Sequence, residues 1–177
     1  MGAVYAFMSA LYFRGKLAYA MAFAPADPRG APGVLIIVPG QGLLPPDRLV
    51  TTKDLKAFGR VPVDQQDARY IEPLMRDLRG LQSVLRDTDR VVLLGSIATG
   101  KYVDPMLEVF ASRLWFPREF VGRGDMSRGG LLLRSAAAGT ELEYIPVQGA
   151  VRTGPRAQRL DEVLSYSAAR RLRPEPS

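Results

Sequence analysis

VVLLGSIATGKYVDPMLEVF, residues 91–110, is the stretch from which the fold of this chain is read. A short apolar run, Val91 to Leu94, stands between Asp89-Arg90 and Gly95, which is the pattern of a strand buried on both faces of a parallel sheet. The glycine-punctuated loop Gly95 to Tyr102 follows. Asp104-Pro105 then opens an amphipathic helix, with Asp104 as N-cap and Pro105 at the first helical position. Strand, glycine loop and helix in that order present backbone N–H groups to an anionic ligand. Gly95-x4-Gly100-Lys101 matches the first part of a phosphate-binding loop, but Tyr102 stands where that pattern needs Ser or Thr to hold Mg²⁺. A looser anion site at Gly95, Ser96, Lys101 and Tyr102 is the functional reading. The plainer one leaves the two glycines to shape a turn.

Outward from this stretch, Val34 to Val38 (VLIIV) reads as a second buried strand, bounded by Gly33 and Pro39. Gly40, Gln41 and Gly42 come directly after it, where glycine permits either a close backbone approach to a ligand or a sharp turn. Residues 66–87 carry Ile71, Leu74, Met75, Leu78, Leu81, Val84 and Leu85 at spacings of three and four, which predicts a helix with one apolar stripe. Arg69, Arg76, Arg79 and Arg86 fall mostly off that stripe and read as a solvated face paired with Asp77 and Asp87. Gly15 to Ala24 reads as a helix ended by Pro25, with Arg14-Gly15-Lys16 ahead of it. Trp115 to Val121 suggests a short aromatic strand, and Leu142 to Val147 a final strand that Pro146 confines to an edge.

Gly122 to Gly130 is the densest cluster of glycine and charge. Arg123, Ser127 and Arg128 at a helix N-terminus suit phosphate or carboxylate, and Asp125 serves as general acid or base if burial raises its pKa. The competing reading is an Asp125–arginine ion pair beside a Ser127 N-cap. Leu131 to Ala138 continues as a helix stopped by Gly139, or else as one arm of a hairpin reaching Val147.

Alternating buried strands and helices predict an α/β chain: a single three-layer domain, residues 1–150, around a mostly parallel central sheet, with a basic Pro- and Arg-rich extension over 151–177. In such sheets ligands bind beyond the carboxyl ends of the strands. The loops after Val38, Leu94 and Val121 are then expected on one rim.

The 177 residues suffice for one core, and the chemistry is bounded by what is absent: there is no cysteine and no histidine. Disulfides, thiolate nucleophiles, imidazole acid–base chemistry and His or Cys metal sites are excluded, so neither metal nor cofactor is expected. Net charge is +6, and residues 151–177 hold six Arg against three acids. Such a tail suits nucleic acid or another polyanion, or is an ordinary solvated surface. The apolar N-terminus lacks the charged n-region of a signal peptide, its first charge being Arg14. No run reaches the roughly 18 apolar residues of a membrane span, so a cytoplasmic protein without a membrane is expected. Trp115, Phe116, Phe120 and the N-terminal aromatics leave a homo-oligomer open.

LYFRGKLAYAMAFA, VLIIVPGQGLLPPD and LLGSIATGKYVDPML, taken in order, resemble a family of uncharacterised bacterial α/β domains, loosely associated with YaaA-like and uracil-DNA-glycosylase-like folds. The resemblance covers about the first two thirds of the chain and implies a nucleotide, nucleobase or nucleic-acid-linked base as ligand. Pro39-Gly40-Gln41 stands where that family has a Ser-Ala-containing turn, and no catalytic glycosylase residue carries over. Two functional expectations follow. One is a domain that binds or processes a nucleotide or base at the glycine-rich basic rim, as a histidine- and cysteine-independent glycosidase or transferase if it is an enzyme. The other is a non-catalytic nucleic-acid or protein-interaction module that uses the basic tail.

Overall fold

A computed structural model describes residues 11–24 and 31–155. The elements are α1 (Leu11–Phe23), β1 (Ile36–Val38), β2 (Gly42–Leu44), α2 (Thr52–Phe58), α3 (Ala68–Val84), β3 (Val91–Val92), α4 (Gly100–Phe110), β4 (Leu114–Pro117), α5 (Asp125–Ala138) and β5 (Tyr144–Pro146). Helices and small sheets make a mixed α/β fold. The basic-tail reading falls almost wholly outside the described residues.

The mostly parallel sheet is not what forms. One sheet has the order β3-β4-β5, with β3 parallel to β4 and β5 antiparallel to it; the other is the β1-β2 hairpin. The reason lies in the turn after Val38. Gly40 and Gly42 both adopt positive φ, +77° and +81°, and the Gln41 amide donates to the Val38 carbonyl. Pro39-Gly40 is the central pair a type II turn calls for, so the chain doubles back after three strand residues and makes no crossover. A Cβ at Gly42 would strike the Asp77 carboxylate and the Pro73 carbonyl, which shows how closely β2 lies on α3. Asp77 fixes the contact by accepting from the Leu43 amide at 2.8 Å. Val38 and Phe58 form a small core of their own beneath Ile36, Leu44, Val50 and Leu55.

In the larger sheet the apolar run shortens to Val91–Val92, both half-buried, while the Leu93 amide still donates to the Trp115 carbonyl. The aromatic strand forms over Leu114–Pro117 and gives way to a 3-10 turn at Arg118–Phe120 where the strand was expected to continue, and β5 holds the expected edge position. α3 is the periodic helix: Tyr70, Leu74 and Leu78 are buried, and Asp67 caps its first turn. Arg69, Arg76 and Arg79 are a solvated face paired with Asp67, Asp77 and Glu108, while Arg86, beyond the helix end, pairs with Asp89 where Asp87 was expected. Phe116 and Phe120 are fully buried within this one chain, and Trp115 lies half-buried under the Arg90 guanidinium, 4.4 Å from its ring centroid. Phe116 and Phe120 are therefore core residues, while Tyr5 and Phe7 of the N-terminal aromatics lie outside the described residues.

Three helix starts move, α1 being helical already at Leu11 rather than from Gly15. α4 begins at Gly100, with Thr99 as N-cap, so Pro105 sits in the helix interior. A proline there leaves the carbonyl four residues back without its N–H donor. That carbonyl belongs to Lys101, and the Tyr70 hydroxyl donates to it at 2.9 Å, so the helix tolerates the proline. Asp104, expected as N-cap, instead accepts from Gln65 at 3.1 Å. α5 begins at Asp125 with Gly124 as N-cap, which removes both the Ser127 cap and the hairpin alternative. Its predicted stop is observed: Gly139 is left-handed, φ 63°.

α1 and α5 cross at glycines. A Cβ on Gly15 would lie 2.5 Å from the Gly129 carbonyl oxygen, and one on Gly129 would lie 2.6 Å from the Tyr12 Cα. Gly129, read from sequence as part of a ligand loop, is spent on bringing two helix backbones together. Among the described residues no helix is long and apolar enough to cross a membrane.

Candidate functional site

The crossing of α1 and α5 carries the chain's one concentration of buried cationic and phenolic groups among the described residues. Lys16, which the sequence places ahead of a helix, lies inside α1, one residue beyond Gly15; Arg128 lies in α5, one residue before Gly129. Tyr12 stands one turn before Lys16 on the same helix face, a spacing that brings side chains together. The Lys16 Nζ sits 4.4 Å from the Tyr12 ring centroid and 5.4 Å from that of Phe13. Tyr12 in turn meets Phe120 edge-on, at 6.4 Å between centroids.

Arg128 is buried, at 6 % exposure. Its Nε and Nη2 donate to the Phe120 carbonyl at 3.3 and 3.1 Å, and its guanidinium lies 5.3 Å from the Phe120 ring. Burying a cation is costly unless a counter-charge compensates it. Among the described residues its only ion pair is with Asp125, at a loose 3.7 Å and with the carboxylate 69 % exposed. Asp125 therefore lacks the burial on which its reading as general acid or base depends. It is placed as a partial counter-ion, as the competing reading has it.

Tyr12 ties this cluster to the opening stretch. Its hydroxyl donates to the Leu94 carbonyl at 2.9 Å, at the foot of the Gly95 loop. Burial pushes its phenol up to about 12, while the Arg128 charge works the other way, so Tyr12 stays neutral and donating. Tyr102, in the first turn of α4, is also raised, by burial first and then by the Asp125 charge. Burial holds Lys16 below the ordinary lysine value; the Asp125 charge opposes that shift and the Arg128 charge adds to it. Arg123 donates from Nη1 to the Ser127 Oγ at 3.3 Å, and its buried Nε has no partner.

The sequence-derived residues thus separate into three places. Tyr102 lies within electrostatic reach of Tyr12 and Asp125, Gly95 and Ser96 follow the Leu94 carbonyl that Tyr12 holds, and Arg123 and Ser127 flank Asp125 at the start of α5. Ser96 is half-buried in the loop that Leu93 and Ile97 anchor in the core. Lys101 points elsewhere, into an open cleft of about 650 Å³ that it lines with Pro62, Val63, Asp64, Gln65 and Gln66. Gly40, Gln41 and Gly42 do not join the rim. The contacts of Gly40 and Gly42 are with Val61, Arg69, Pro73 and Asp77, because the hairpin lies against α3.

Comparison with family models, with curated proteins and with solved structures finds no match to this chain. The site is argued from its own chemistry. The sequence reading misses Tyr12, although its spacing from Lys16 is the signal that could have found it. α4 does start at Gly100-Lys101, where a phosphate-binding helix would. Tyr102 still stands in the Mg²⁺-binding position, and among the described residues no group of three Asp, Glu, His or Cys gathers as a metal site. With the Asp125 carboxylate exposed, the cluster can bind an anion, hold a phenolic donor and offer an amine.

Proposed function

We propose that this chain binds a nucleotide, or a nucleic-acid-linked base through its phosphate, where the Gly95–Tyr102 loop meets α1 and the start of α5. The observation that supports this is an imbalance of charge. Lys16 is half-buried and Arg128 buried, Arg123 lies at the same helix start, and among the described residues the one ion pair of these three cations is the loose contact of Arg128 with Asp125. A bound phosphate would supply the missing negative charge, and desolvated cations hold such a group more strongly than exposed ones do. The phenols of Tyr12 and Tyr102 offer neutral donors and ring faces for a sugar or base. The resemblance of the three sequence stretches to uncharacterised α/β domains, themselves loosely associated with folds whose better-known members handle nucleobases or DNA, points the same way.

The test is titration of the full chain with adenosine mono-, di- and triphosphate, nucleosides, free bases and short oligonucleotides, followed by thermal shift and calorimetry. Phosphorylated ligands are expected to stabilise the fold while nucleosides do so weakly. Lys16→Gln is expected to weaken phosphate-bearing ligands about tenfold or more, and Gln41→Ala to leave them unchanged. If none of these ligands raises the melting temperature of well-folded protein, the reading is wrong.

A further inference from the structure

The outer face of α3 carries an open groove of about 550 Å³ that shares no residue with the nucleotide site proposed above. Ile71, Glu72, Met75, Arg76 and Arg79 line it. They fall in two rows at four-residue spacing, Ile71-Met75-Arg79 and Glu72-Arg76, which are the ridges between which the ridge of another helix packs. Ile71 and Met75 are half-buried: their inner sides pack on the core and the rest shows apolar surface to the groove. The three charged residues are exposed. Glu72 makes no ion pair among the described residues. Arg79 reaches Glu108 at 3.4 Å, with the two side chains 66 % and 64 % exposed, and a pair so solvated holds its arginine weakly. An available acid and an available base thus stand on one helix face, two turns or about 10.5 Å apart along the axis.

We propose that this groove is the interface of a homodimer, in which α3 packs antiparallel on α3 of a second copy about a twofold axis between Met75 and Arg76. The charges select the occupant. Glu72 and Arg79 lie at equal distances from that axis, so reversing the helix sets each Glu72 on the Arg79 of the other copy and closes two ion pairs. A parallel arrangement would set Glu72 on Glu72 and Arg79 on Arg79, and the repulsion disfavours it. Near the axis, Met75 of each copy meets the aliphatic stem of Arg76 of the other, which covers the apolar floor of the groove. The contact uses the same patch on both copies, so it closes at two chains and leaves no sticky end. One helix face per copy is a small interface, and the dimer is accordingly weak and concentration-dependent.

The experiment is sedimentation equilibrium of the full chain from micromolar to near-millimolar concentration, on the unaltered protein, Glu72→Arg, Arg79→Glu and the double variant. The unaltered chain is expected to pass from the mass of one chain to that of two. Each single variant sets like charges together in both pairs and should weaken association about tenfold or more. The double variant reverses both pairs and should return to within a few-fold of the unaltered protein. Residues 72 and 79 stand too far apart to pair within one helix, so this rescue reports a contact between copies. All the altered positions are exposed, and circular dichroism checks that the four proteins fold alike. A one-chain mass at every concentration overturns the proposal and leaves the groove to solvent or to a different protein. Dimers equally tight in all four proteins overturn it in favour of another face. A double variant no tighter than the singles overturns the antiparallel pairing of Glu72 with Arg79.

Discussion

Tyr70 and Pro105 are one interaction written in two places. The proline removes a backbone donor from α4, and the tyrosine supplies one from α3 at 2.9 Å. Leaving a buried carbonyl unsatisfied costs about 1–3 kcal/mol, so Tyr70→Phe is expected to lower stability by that amount. In a Pro105→Ala background the backbone N–H returns, and the same Tyr70→Phe change should cost clearly less. Urea denaturation of the four proteins measures this, and equal costs in both backgrounds would show that the hydroxyl does not replace the missing amide. At the other helix contact, Gly129→Ala forces a methyl against the Tyr12 backbone, where no side chain can yield. Overpacking of this kind costs roughly 1–3 kcal/mol or more. It should also weaken the phosphate binding proposed at Lys16 and Arg128, because the same contact sets where both stand.

At the scale of elements, α5 ends where Gly139 turns left-handed, and Gly139→Ala should destabilise the chain by about 1 kcal/mol in thermal denaturation. That stop was legible because a C-terminal glycine is a local signal. So were the apolar stripe of α3, the aromatic strand β4 and the edge position of β5, each set by its own periodicity or by a proline. What was not legible depended on partners distant in sequence. The start of α4 hung on Tyr70, 31 residues before the carbonyl it satisfies. The course of the chain after Val38 hung on whether a Pro-Gly pair closed a hairpin or opened a crossover, and the five apolar residues before it fit both. The site shows the same division. Arg123, Asp125, Ser127 and Arg128 could be found as a cluster in sequence. The assignment of Gly129 to helix packing, and the joining of Tyr12 and Lys16 to the cluster, needed α1 laid against α5.

For the whole molecule, the tyrosines govern behaviour in alkali. The sequence has seven, and all five in the described residues, Tyr12, Tyr19, Tyr70, Tyr102 and Tyr144, are raised above the ordinary value, with burial the first cause in each. A phenol with a raised folded-state pKa contributes stability that is complete below its unfolded value of 10.0 and is lost as pH climbs through the folded one. Lys16 has the opposite sign. Its folded value lies below the unfolded 10.5, so its contribution grows as pH rises between the two. Five phenols outweigh one amine, and stability should fall above pH 10.0. Denaturation midpoints and tyrosinate absorbance followed together will check this. The larger part of the tyrosinate signal should appear only as helical circular dichroism is lost. Its appearance in the still-folded protein would show that the phenols are not held as described.

The glycine crossing makes α1 and α5 a pair of levers with a shared fulcrum. Lys16 and Arg128 each lie one residue from it, whereas Phe23, eight residues along from Gly15, lies about 12 Å away at about 1.5 Å per residue. A swing of about 10° between the helices would carry Phe23 by about 2 Å and Lys16 by only about 0.3 Å. Any such swing would therefore leave the backbone positions of the two cations nearly fixed, as calliper jaws set at the pivot would be.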